Sequence, residues 1–145
     1  MTEPVVDGQK GTQATLRQIE ASNPNLSVFV SANAGTGKTQ VLTMRVLRLL
    51  LSGISPETIL CVTYTKAAAA EMKSRLYKQL SIWAICDQTD LLFELKKLGE
   101  DRPTQAQIQT ARSLFANILD HEDGPRIETV HSFCQAVLRR FPVEA

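Results

Sequence analysis

Residues 32–39 read Ala-Asn-Ala-Gly-Thr-Gly-Lys-Thr: a small residue, four intervening residues, then Gly-Lys-Thr. Each type in this pattern answers one demand of phosphate binding. Gly35 and Gly37 let successive backbone N–H groups turn onto phosphate oxygens, where a Cβ would block either the conformation or the approach. Lys38 supplies a point charge to the β- and γ-phosphates, and Thr39 a hydroxyl ligand for Mg²⁺. Ala32 stands where the usual pattern has its first glycine. The pattern carries this meaning only when it follows a strand and opens a helix. Residues 26–31 (LSVFVS) are β-branched and aromatic and predict a strand. Residues 40–52 carry apolar side chains at 41, 42, 46, 47, 49 and 50 and predict a mostly buried helix ended by Gly53. The dipoles of that helix favour an anion at its start. The loop is therefore expected to hold a nucleotide through Ala32, Asn33, Ala34, Gly35, Thr36, Gly37, Lys38, Thr39 and Gln40, with Lys38 and Thr39 in catalytic roles.

The rest of the chain supplies the frame. Residues 1–11 are polar and predict a flexible tail, and 12–21 a short helix with Thr12 as its cap. Asn23-Pro24-Asn25 breaks that helix. Ser55-Pro56-Glu57 predicts a single turn, and residues 58–64 a second strand. Thr65 is placed to cap a long helix from Lys66 to about Trp83. Helices follow at 89–98 and 103–119, the latter started by Pro103, then a turn at 121–125. Residues 126–130 predict a short strand and 131–141 a helix stopped by Pro142. Strands alternating with helical crossovers imply an α/β fold with a parallel sheet.

Composition excludes several classes. In 145 residues, 16 basic side chains face 15 acidic ones, so bulk charge names no partner. Its distribution is uneven: residues 1–80 carry nine basic and five acidic groups, and the remainder seven and ten. No apolar run approaches the roughly 20 residues that span a bilayer, so no membrane partner is expected. The start, MTEPVVDGQKG, lacks a signal-peptide core, and a soluble cytoplasmic protein is the expectation. Cys61, Cys86 and Cys134 are too far apart for a zinc site or a disulfide framework. Cys61 and Cys134 are read as buried small apolar residues and Trp83 as packing.

Three segments, SANAGTGKT, CVTYTKAAAAEM at 61–72 and ETVHSF at 128–133, together resemble superfamily 1 DNA helicases of the UvrD/Rep type. Within that group the likeness is to the AddA type of helicase–nuclease subunit in bacterial double-strand-break repair. The resemblance runs from about Thr15 to the last residue. It implies a RecA-like P-loop NTPase fold, with residues 12–145 as the N-terminal portion of the first motor domain and 1–11 as the tail. The cofactors it implies are ATP and Mg²⁺. The partners are single-stranded and double-stranded DNA ends and an AddB-like second subunit.

The family's adenine-reading glutamine matches Gln18, with Gln13 as competitor; a carboxamide can donate and accept one hydrogen bond each on the adenine edge. Its first DNA-contacting motif matches Thr63, Tyr64, Thr65 and Lys66, and its second Thr129, His131, Ser132 and Phe133. Two readings stand for several of these. Tyr64 stacks on a base or lies in the core, and Thr65 touches phosphate or only caps its helix. His131 contacts DNA or is structural, and a catalytic base is disfavoured for want of a nucleophile. Lys66, Lys73, Arg75 and Lys78 form a DNA-facing stripe or a solvated face.

Hydrolysis also needs a strand ending in paired carboxylates and an arginine finger. No apolar strand with that ending occurs: Glu122-Asp123 falls in a turn and Glu100-Asp101 in a loop. The Walker B and later motifs are absent, so the chain is read as an N-terminal fragment or truncated reading frame, and ATP turnover by it alone is not expected. Two alternatives remain: a non-catalytic nucleotide- or DNA-binding remnant, and another P-loop enzyme such as a nucleotide kinase. No role is assigned to the acidic stretch 87–101.

Overall fold

The computed structural model describes residues 8–31, 33, 35, 37–120 and 124–141, and within these the side chains other than those of 8–14 and 120. The elements run α1 (Gly8–Ala21), α2 (Lys38–Leu51), a 3-10 turn (Pro56–Thr58), β1 (Leu60–Thr63), α3 (Lys66–Ile85), α4 (Gln88–Lys97), α5 (Gln105–Asp120), β2 (Arg126–Thr129) and α6 (Val130–Arg140). β1 and β2 pair in parallel, Leu60 opposite Arg126 and Thr63 opposite Thr129, with α3, α4 and α5 forming the crossover between them. The chain is thus α/β and mostly helical.

The core lies among the helices. α2 contributes Met44, Leu47, Leu50 and Leu51, and α3 Met72, Leu76, Leu80 and Trp83. α4 adds Leu91 and Leu95, with Leu98 as the residue that caps its C-terminus, and α5 adds Ala111, Leu114 and Ile118. The α3 row recurs every three or four residues, as one buried helix stripe requires. Trp83 is 0% exposed, as its packing role predicts.

Local chemistry sets the helix ends. α2 closes with Gly53 N–H on the Leu50 carbonyl and Ile54 N–H on the Leu49 carbonyl, the paired bonds of a Schellman turn. Thr65 caps α3 by accepting from the Ala68 N–H at 3.1 Å. At the other end of α3, Arg112 Nη1 donates to the Trp83 carbonyl at 2.8 Å and to that of Cys86, a cation against the negative helix terminus. The acidic stretch proves structural. Asp87 caps α4 through the Asp90 N–H, and Glu94 takes Lys97 and Gln79 on its two oxygens. Glu100 accepts from Gln107 and lies 3.8 Å from Arg48.

Several expectations need correction. Residues 26–31 do not form a strand: the sheet of the described residues holds only β1 and β2. Strand propensity describes a side chain's fit to a pleated surface, whereas a strand exists only through a ladder partner. The segment keeps its apolar side chains but not their burial, and Phe29 is 92% exposed. The helix meant to start at Thr12 begins at Gly8, because a capping hydroxyl is a preference of about 1 kcal/mol and not a stop. Of the expected tail, 8–11 are therefore helical, and 1–7 lie outside the described residues. Pro103 does not open α5. Thr104 does, in a capping box: its hydroxyl accepts from the Gln107 N–H at 3.2 Å while Gln107 Oε1 accepts from the Thr104 N–H at 2.8 Å. Cys134 is exposed rather than buried, since it sits on the open side of α6; Cys61 is half-buried against the core. Most of the 121–125 turn lies outside the described residues.

Leu80 is fully buried. Leu80→Ala is expected to cost about 2–5 kcal/mol of unfolding free energy, measured by urea titration. Burial pushes the Cys61 thiol above its ordinary pKa. At neutral pH alkylation should therefore reach exposed Cys134 well before Cys61, with Cys61 labelling accelerating as pH rises through the thiol range. Peptide mass mapping over time reads that order, and early labelling of Cys61 would contradict it.

Candidate functional site

The phosphate-type loop stands at the N-terminus of α2, which meets the helix half of its pattern; the strand expected before it, at 26–31, does not form. Gly35 and Gly37 adopt φ of 80° and 90°, the left-handed region that side chains disfavour. Gly37 is the residue preceding the helix, and its carbonyl accepts the first helical bond, from the Val41 N–H at 3.1 Å. Lys38 and Thr39 fall inside the first turn of α2 rather than before it. Lys38 Nζ folds back to donate to the Asn33 carbonyl at 2.8 Å, so the ammonium closes over the loop. Gly35, Gly37, Lys38, Thr39 and Gln40 line one side of a cavity of about 370 Å³. Ala32, Ala34 and Thr36 lie outside the described residues.

Gln18 is brought to this loop from α1. A Cβ added at Gly37 would stand 2.9 Å from Gln18 Nε2, so the carboxamide occupies the space that the glycine leaves open. Two arginines of α2 arrange this approach. Arg48 Nη1 donates to the Ile19 carbonyl at 2.9 Å and to Ser22 Oγ at 3.1 Å, fixing the end of α1. Arg45 donates to the Asn23 carbonyl at 2.6 Å and the Leu26 carbonyl at 2.7 Å, fixing the turn that leads to the loop. The sequence places both arginines in a mostly buried helix without giving them a task. That burial is the available signal, because a guanidinium there needs carbonyl acceptors.

The second group of residues gathers at the carboxyl ends of β1 and β2. Thr63 and Thr129 are register partners, so 63–66 and 129–133 lie side by side. Each strand leads into a helix whose first turn is capped by a threonine: Thr65 for α3 and Thr129 for α6, the latter accepting from the Ser132 N–H at 3.2 Å. Two helix N-termini with their partial positive charges therefore open at one sheet edge. Tyr64 is 91% exposed, which removes the core reading of its ring. Lys66 and His131 are exposed, Phe133 and Ser132 half-buried, and Thr129 buried. The hydroxyls of Thr65 and Thr129 are engaged as caps, and Thr63 Oγ1 donates to the Thr65 carbonyl at 2.9 Å. The free chemistry of this edge thus rests on Tyr64, Lys66, His131 and backbone amides. Lys73, Arg75 and Lys78 are exposed along α3, Arg75 bonded to Glu71 and Lys73 lying 6.0 Å from the Tyr77 ring centroid.

Among the described residues, no cluster of three or more His, Cys, Asp or Glu could hold a metal ion, and no helix is long and apolar enough to cross a membrane. A divalent ion at the loop would draw on the Thr39 hydroxyl and on phosphate oxygens, the mixed ligand set Mg²⁺ commonly accepts.

The profile of the UvrD/REP helicase N-terminal domain matches residues 13–145. Curated relatives are named as the A subunit of an ATP-dependent helicase/nuclease. That of Lactobacillus gasseri is 37% identical over 131 residues, covering 90% of this chain and 9% of the relative. Those of Lactobacillus acidophilus and Enterococcus faecalis are 39% and 35% identical, over 79% of this chain and 8% of each relative. The chain thus spans under a tenth of the length of these relatives. A left-handed glycine loop at a helix start, a carboxamide against it, and a match over nearly the whole chain agree: this chain belongs to the UvrD/REP helicase N-terminal domain family.

Proposed function

We propose that this chain is the ATP-binding part of an ATP-dependent DNA helicase–nuclease that serves double-strand-break repair and recombination. Residues 12–145 form the N-terminal portion of a RecA-like motor domain, and turnover further requires an apolar strand ending in paired carboxylates, a pattern not found in these residues. The reading is carried by one juxtaposition: Gln18 lies against Gly37, the residue that leads into Lys38 and Thr39 at the start of α2. A purine recognised on its edge and a phosphate tail held by amides need those groups within one nucleotide's length.

In this reading Gln18 reads adenine, and the 33–39 amides with Lys38 hold the phosphates. By their place in the sequence Ala32, Ala34 and Thr36 belong to the same phosphate-binding pattern, and Gln40 lines the cavity. Thr39 holds Mg²⁺, which when bound supplies charge neutralisation to the phosphates. The edge formed by Thr63, Tyr64, Thr65, Lys66, Thr129, His131, Ser132 and Phe133 receives a DNA strand. Tyr64 offers a stacking face, and the two helix starts offer N–H donors to phosphate. The helicase/nuclease name of the relatives supports DNA ends as substrate, and a cytoplasmic setting and an AddB-like partner go with that reading.

Titration of the chain with Mg²⁺–ATP, with and without a single-stranded oligonucleotide, tests this directly. Lys38→Ala should weaken ATP binding roughly tenfold or more while sparing oligonucleotide affinity. Equal loss of both would count against two separate sites. Tyr64→Ala should weaken oligonucleotide binding by roughly 1–3 kcal/mol and leave ATP affinity unchanged. Unaltered oligonucleotide affinity would remove the ring from the interface.

A further inference from the structure

The cavity beside the loop has a second wall that the phosphate-binding pattern does not account for. Facing Gly35, Gly37, Lys38, Thr39 and Gln40 stand Glu71 and Arg75 of α3. Arg75 donates from Nε and Nη2 to the same Glu71 oxygen, at 3.0 and 2.7 Å. Both side chains are at least half exposed, and a solvated pair one helical turn apart is held weakly. The lining therefore contains two cations, Lys38 and Arg75, and one carboxylate that occupies the second of them.

We propose that Arg75 is a further phosphate-binding residue that distinguishes triphosphate from diphosphate. It leaves Glu71 for the terminal phosphate oxygens when a nucleoside triphosphate enters. The proposal deepens the nucleotide reading above and rests on it. The guanidinium suits the task because its planar fork matches phosphate oxygens two at a time. A phosphate carrying more charge than a carboxylate displaces Glu71 from a weakly held pair. Glu71 then acts as a placeholder: it keeps the fork turned to the cavity in the empty site and repels anions that cannot reach Arg75. No bond is made or broken; one ion pair replaces another.

The chain's single tryptophan gives the readout, because Trp83 lines a neighbouring cavity that shares Gln40 and Arg75. The probes are AMP-PNP and ADP with Mg²⁺, followed by Trp83 emission and by equilibrium dialysis. Arg75→Gln should lower AMP-PNP affinity about tenfold or more while shifting ADP affinity less than about twofold. Glu71→Gln, which removes the same pair but keeps the cation, should raise AMP-PNP affinity. If Arg75→Gln changes neither nucleotide, or both equally, while Lys38→Ala weakens both, the role of Arg75 is overturned and the nucleotide site stands. Failure of the unsubstituted chain to bind either nucleotide overturns both. Should circular dichroism show Arg75→Gln unfolded, Glu71→Gln decides alone: AMP-PNP binding tightened more than ADP binding supports the proposal, and an equal, absent or opposite change overturns it.

Discussion

Burial of one stripe of α3 organises this chain. Met72, Leu76, Leu80 and Trp83 must leave water together, and α2, α4 and α5 supply the surfaces that let them. That packing has two geometric results. It sets the side of α3 bearing Glu71 and Arg75 against the start of α2, where the glycine loop turns. It also fixes the N-terminus of α3 at the end of β1, beside the β2–α6 junction. The glycine loop and the strand-end edge are thus both reached from the first half of one helix. A helix rises about 1.5 Å per residue, so Lys66 and Arg75 lie roughly 14 Å apart along its axis.

Polar groups do the finer placement. Arg45 and Arg48 project from a helix that is otherwise an apolar wedge and tie down the carbonyls of Ile19, Asn23 and Leu26. Those bonds cross nineteen or more residues of sequence, so they set where α1 ends and where Gln18 rests. Arg112 performs the same service at the far end of α3. In each case a guanidinium satisfies carbonyls that no ladder or helix reaches.

What can be read from the residues divides along physical lines. Motifs with local chemistry are legible: the glycine loop, the threonine cap at residue 65, the Gly53 stop and the helical stretches with their apolar spacing all depend on neighbours a few residues away. Gln18 is legible only through family likeness, since nothing in TLRQ announces a loop twenty residues on. Properties set by distant partners are not legible. The apolar run at 26–31 looks like a strand whether or not a second strand lies beside it. Cys134 looks like core whether or not α6 is covered. Arg75 looks like one charge in a solvated row, because its proximity to Lys38 arises from packing of α2 on α3 and leaves no trace in spacing.

The 26–31 segment carries a consequence of its own. Leu26, Val28, Phe29 and Val30 stand in solvent outside the sheet, and Leu60 and Val62 of β1 are themselves 42% and 44% exposed. Unladdered backbone with a greasy, β-prone sequence is a template that like segments extend. Exposed on each copy of this polypeptide, such a segment is an aggregation hazard at high concentration. The same property that makes such a segment hazardous alone makes it adhesive toward any β-strand that can complete it.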